Sequence, residues 1–145
     1  MKRVGKVKQL LIVVLVVLIQ ACSSAGPENE LELAAQQLED SVKNKQHNAI
    51  TKQMHADFKA QNRYGKQQAR QQMLGLFMRY KNISVMVMNR KCELDASFYD
   101  RGRCSAKVGI TGAQGVFPDR ADYLQVNTLW QHDGKQWQLV ELKWH

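Results

Sequence analysis

The stretch YLQVNTLWQHDGKQWQLVELKW, residues 123–144, decides the fold class. Apolar and polar side chains alternate on either side of Asp133-Gly134, which is the period of a half-buried β-strand. A two-residue type I′ turn needs positive φ at both central positions, and Asp-Gly supplies it at low cost. Strands are therefore predicted at 123–132 and 136–144, with Trp130 opposite Trp137. Such an aromatic pair contributes about 0.2–1 kcal/mol and would pin the hairpin.

Working upstream, the period is again two in 83–94 and 104–111, a second strand pair. Placing Cys92 opposite Cys104 puts Met88 against Val108 and Met86 against Ile110, so the cysteine and apolar registers agree. The same alternation leaves Val85, Val87 and Leu129 on the outer face of the sheet. Before residue 82 the period is helical. Leu31, Ala34, Ala35, Leu38 and Val42 share one face, and Pro27, Glu28 and Glu30 suit a helix start. A break at 44–48 leads to a short helix with Ala49, Ile50 and Met54 that ends near Asp57 and Phe58. After a polar segment, Gly65 opens a third helix with Ala69, Met73, Leu76, Phe77 and Tyr80 on one face. Gly75 costs about 1 kcal/mol there relative to Ala and is expected to mark close packing. Helices followed by antiparallel strands make the class α+β.

The chain has 145 residues, 44% of them apolar, with 21 basic and 13 acidic side chains for a formal charge of +8. That length suits one domain and excludes a repeat array, while the apolar share excludes a wholly disordered chain. A charge of +8 invites nucleic acid as partner, but its location argues otherwise. Lys2, Arg3, Lys6 and Lys8 precede an apolar run over 10–19, the pattern of an export signal. Ten helical residues reach about 15 Å, half a bilayer core.

Leu18-Ile19-Gln20-Ala21-Cys22, followed by Ser23-Ser24-Ala25-Gly26-Pro27, resembles the lipobox of bacterial lipoproteins. The resemblance implies cleavage before Cys22 and acylation of that cysteine, palmitate included. Ser23, in place of the aspartate that retains such proteins in the inner membrane, implies an outer-membrane anchor facing the periplasm. A plain secretory signal or an uncleaved anchor are the alternatives. The organisation expected is a signal peptide at 1–21, a lipidated tether at 22–30 and a domain at 31–145. Cleavage removes four basic residues and no acidic ones, leaving +4 and no case for nucleic acid. In an oxidising periplasm Cys92 and Cys104 are expected to form a disulfide, stabilising by at most about 3 kcal/mol for the loop they close.

Over residues 31–145 the element order is similar to the nuclear transport factor 2-like fold. Asn48-Ala49-Ile50 before His55-Ala56-Asp57-Phe58, Gly65-Lys66 opening a helix, and the closing Gly134-Lys135-Gln136-Trp137-Gln138-Leu139-Val140 with Trp144 carry the resemblance. It implies helices in the concave face of a strongly bent, mostly antiparallel four-stranded sheet, with a pocket at the open end of the cone. Members include dehydratases, isomerases and epoxide hydrolases as well as binding and assembly domains, so fold alone does not assign function.

A catalyst of this fold needs an acid or base in the cone. Asp57 and Tyr80 are the candidates, with His55, Asp122 and Tyr123 behind them, yet the paired Asp and His of catalytic members is missing. The four histidines and three cysteines offer no zinc-ligand spacing, and no cofactor motif is present. Met73, Met78, Met86 and Met88 are available as lining for an adaptable pocket. The expectation is a non-catalytic binding domain for a small apolar ligand or an envelope protein. Its partners would be the membrane through the lipid, and a second copy or an envelope protein through the sheet face. The alternative is an acid-base enzyme of the dehydratase, isomerase or hydrolase type.

Overall fold

The computed structural model describes residues 26–81, 83–111 and 123–145. Cys22, and with it the signal, most of the tether, and Asp122, lies outside the described residues. The elements run α1 (Pro27–Lys43), α2 (His47–Gln53), β1 (Met54–Ala60), β2 (Tyr64–Gly65), α3 (Lys66–Arg79), β3 (Ser84–Leu94), β4 (Arg101–Thr111), β5 (Leu124–His132) and β6 (Trp137–Trp144). The sheet has six strands in the order β2-β1-β6-β5-β4-β3. All neighbours are antiparallel except β1 and β6, which are parallel.

Two strands more than expected come from residues 54–65. Met54 and Phe58 are four apart, which fits one face of a helix, but Met54, Phe58 and Ala60 also share one face of a strand. They are buried in β1, while Ala56, Asp57 and Lys59 between them are exposed and the register with β6 shifts between Met54 and Lys59. The short second helix accordingly stops at Gln53 rather than near Phe58. The parallel pairing with β6 decides this, because it satisfies backbone groups that a helix end would leave without partners.

α1 begins where Pro27 removes a donor that no helix could use, and the Gly26 carbonyl accepts the Glu30 N–H at 3.1 Å. At its far end the Asn44 side chain donates to the Asp40 carbonyl at 2.8 Å. Lys45, at φ +54°, turns the chain and extends its ammonium to the Tyr80 carbonyl at 3.1 Å and to the Lys81 carbonyl. A cation thus sits just past the C-terminus of α3, on the carbonyl of its cap residue and the next, where the helix dipole favours it. The start of α3 is closed by the Gln68 side chain, which accepts the Gly65 N–H at 3.1 Å.

Leu31, Phe58, Trp130 and Leu139 are the largest fully buried side chains and join α1, β1, β5 and β6 in one core. Each contributes about 1.5–3 kcal/mol by leaving water. The Trp130 indole donates to Thr128 Oγ1 at 2.8 Å, which in turn donates to the Cys104 carbonyl at 3.1 Å. The Trp ring is therefore buried without an orphaned donor. Cys92 and Cys104 pair across β3 and β4 and are disulfide-bonded, with Cα atoms 4.1 Å apart.

Two registers depart from expectation. At the β5–β6 turn, His132 pairs with Trp137, and Trp130 with Leu139 instead of Trp137. Asp133 Oδ1 accepts the N–H groups of Lys135 and Gln136, both at 2.8 Å, and the Asp133 N–H donates to the Gln136 carbonyl at 3.1 Å. The side chain thus builds a four-residue turn in which only Gly134, at φ +93°, takes a positive φ. The slip is by two residues, so both tryptophans keep the buried face. Trp137 instead packs edge-on against the His132 ring, centroids 5.2 Å apart.

The second departure changes faces. A bulge between Met88 and Lys91, with Asn89 at φ +52°, shifts the upper half of the β3–β4 ladder by one residue. Val87 meets Val108 and Val85 meets Ile110, where Met88 and Met86 were expected. A one-residue shift exchanges the two faces of a strand.

Candidate functional site

That exchange builds a cavity. Val85 and Val87 line it from β3, Val108 and Ile110 from β4, Leu124 and Val126 from β5, and Met73, Leu76 and Phe77 from α3. Its volume is about 520 Å³ and its wall is predominantly apolar. α3 has no buried residue of its own, so this helix roofs the sheet without sealing against it. Gly75 faces open space with no neighbour within 4 Å, contrary to the close packing expected there. Of the four methionines, Met73 lines the cavity, while Met86 and Met78 are exposed.

Val85 and Val87 therefore do not contribute an apolar patch to the outer face. The described residues that face outward on β4, β5 and β6 include Arg103, Lys107, Gln125, Asn127, Glu141 and Lys143, with Leu129 half-buried among them.

The charged groups at the cavity wall are Glu39 and Arg90. Arg90 follows the bulge, and its guanidinium reaches α1, donating from Nε to Glu32 at 2.6 Å and from Nη1 to Glu39 at 2.5 Å. The other Glu39 oxygen accepts Lys43 Nζ at 2.5 Å. Both oxygens of the carboxylate are thus engaged by cations at the edge of an apolar space. Neither Glu39 nor Arg90 was singled out from the sequence as a site residue. Glu32 and Glu39 are seven apart, two helical turns on one face, and that spacing was the available signal.

The sequence-derived candidates lie elsewhere. Asp57 is on β1 rather than at a helix end, with its side chain 89% exposed, and its backbone N–H donates to His55 Nδ1 at 3.1 Å. Tyr80 is the C-terminal cap of α3, its carbonyl held by Lys45. Neither is among the described residues that line the cavity. Tyr123 is exposed. Tyr64, cradled by the Arg63 guanidinium 5.7 Å from its ring centre, does line the cavity. Among the described residues no three His, Cys, Asp or Glu side chains converge as metal ligands.

A second depression, about 690 Å³ and more open, lies between α1, α2 and the β5–β6 turn. Leu33, Gln37, Lys52, His132, Lys135 and Trp137 contribute to it. The buried Trp137 Nε1 has no acceptor among the described residues.

No family model and no curated protein matches this chain. Solved structures do. The chain superposes on Bd1075 of Bdellovibrio bacteriovorus over 81% of its length, with a TM-score of 0.67 and 13% identity, and spans 40% of that protein. Against an uncharacterized cystatin-like protein of Caulobacter vibrioides, the TM-score is 0.68 at 9% identity, covering 83% of this chain and 89% of the other. A third neighbour, from Streptomyces avermitilis, is described as a provisional dehydratase of the NTF2-like family. It matches with a TM-score of 0.65 at 9% identity, covering 81% and 93%. The fold is nuclear transport factor 2-like, or cystatin-like. At these identities fold is what the neighbours share with it.

Proposed function

We propose that this chain is a lipoprotein, anchored through Cys22 to the outer membrane and facing the periplasm, whose domain binds a small apolar ligand in the cavity without transforming it. The observation that carries the binding reading is the cavity wall, in which apolar side chains from the sheet and from all three helices surround about 520 Å³. That is within the volume range of small-molecule sites, which are mostly apolar with few polar groups. The Cys92–Cys104 bond suits an oxidising compartment, and the signal and lipobox sequence support export and lipidation.

The test is saturable binding of dansyl-undecanoic acid to the purified protein, read by fluorescence. Val87→Arg places a charge in the wall and should weaken binding about tenfold or more, equivalent to about 1.4 kcal/mol. Met86→Arg, one residue away on an exposed side chain, should leave binding intact. Absence of binding by the parent protein, or equal loss in both variants, would overturn the reading.

Catalysis is the competing reading, supported by the dehydratase neighbour and by a carboxylate, Glu39, at the cavity wall. Against it, both Glu39 oxygens already accept from cations.

A further inference from the structure

The end of the domain from which the chain runs toward Cys22 also carries exposed aromatic side chains. Leu31, on the second turn of α1, is buried against the start of β4, where any side chain at Gly102 would collide with it. Directly before Gly102 lies the β3–β4 loop. Its Asp95 carboxylate accepts the N–H groups of Ser97 at 2.9 Å and Phe98 at 3.2 Å, and the Phe98 carbonyl accepts the Arg101 N–H at 3.0 Å. The loop is thus internally braced, and it leaves Phe98 52% and Tyr99 78% exposed. The β5–β6 turn is fastened to the same end, the His132 N–H donating to the Asp100 carbonyl at 2.7 Å.

We propose that this aromatic tip rests in the interfacial layer of the bilayer to which the domain is tethered. The proposal depends on the reading of Cys22 as a lipid anchor. Four residue steps separate Cys22 from Gly26, a reach of about 14 Å when fully extended. The N-terminus of α1, and the loop beside it, is held near the surface by that length. Phe and Tyr are suited to the membrane interface, where the ring leaves water and a phenol hydroxyl keeps a partner. At this end Arg101, whose guanidinium lies over the Phe98 ring at 4.8 Å, Arg103 and Lys135 are outnumbered by Glu28, Glu30, Asp95, Asp100 and Asp133, so attraction to anionic lipid does not drive the contact and its origin is apolar. It should therefore survive added salt, which screens charge but not burial.

The experiment uses the lipidated protein in vesicles of phosphatidylethanolamine and phosphatidylglycerol, with a nitroxide on Tyr99→Cys or, at the opposite end of the sheet, on Arg63→Cys. The label at 99 should be several-fold more accessible to oxygen relative to a water-soluble nickel chelate than the label at 63, with or without added salt. Equal accessibility at the two positions overturns the proposal. The mass of the N-terminal peptide reports lipidation separately. If that peptide carries no lipid the anchor reading fails, and the tip is then judged by co-sedimentation of the unlipidated chain with the same vesicles. Binding that is lost in Phe98→Ser/Tyr99→Ser supports it, and no binding by the parent chain overturns it.

Discussion

One sheet carries two different interiors. Where α1 meets the start of β4, Leu31, Ala34 and Cys92 are buried and take no part in the cavity wall, and the backbone at Gly102 approaches Leu31 so closely that no side chain fits. Under α3 the same strands present Val85, Val87, Val108 and Ile110 to a space that the helix covers without filling. The difference lies in attachment. α1 packs Leu31 directly on the start of β4, whereas α3 is held at its ends, by Lys45 on the Tyr80 carbonyl and by its own Lys66, whose ammonium donates to the Met54 carbonyl at 2.7 Å. A domain can thus concentrate its stability in one half and leave the other half available for a ligand, since dense packing and a vacant cavity exclude each other at any one place.

The contrast can be broken most directly by truncating a ring in each half. Trp130→Ala should cost about 3–5 kcal/mol, because a fully buried ring between the packed half and the cavity is lost and Thr128 loses its donor. Phe77→Ala, on the open side, should cost markedly less in the same thermal or urea melt. Equal losses would mean that α3 is as tightly packed as α1. The disulfide comes next in size. Replacing Cys92 and Cys104 together by Ser should lower stability by up to about 3 kcal/mol in urea unfolding, the loop-closure value for a segment of about thirteen residues. No change in the unfolding midpoint would place the cross-link outside the stability of the packed half.

The smallest effect expected is at the β5–β6 turn. The N–H groups of Gln136 and Lys135 hold the Asp133 carboxyl below the usual carboxylate range. A carboxyl whose folded value is depressed stabilises above its unfolded value, near pH 4, and that contribution disappears as pH falls through the folded value. Asp133→Ala should therefore unfold with a shallower acid dependence below about pH 4. An unchanged acid limb would show that the carboxylate does not hold the turn.

Much of the architecture was legible. The apolar face of α1, the start of α3 at Lys66, the four long strands and the pairing of Cys92 with Cys104 all follow from periodicity and register. What escaped did so for physical reasons. Residues Val85, Met86, Val87 and Met88 are all apolar, so alternation gives no parity and either face of β3 reads as buried. Asn89 is a residue type that tolerates positive φ, yet nothing local requires it to bulge. Met54 and Phe58 satisfy helix and strand periods alike. At the turn, Asp133-Gly134 fits a two-residue loop equally well until the carboxylate is seen accepting from Lys135 and Gln136.

The sequence by itself determined the class, α+β, and its helical faces, because period and capping are properties of neighbouring residues. The cavity was decided by the tertiary structure alone. It depends on a one-residue bulge that turns Val85 and Val87 inward, on a parallel strand recruited from a segment with two readings, and on a guanidinium that spans from β3 to two carboxylates on α1. Each joins residues far apart in the chain, and which of two equally apolar faces is buried is settled by what packs against it.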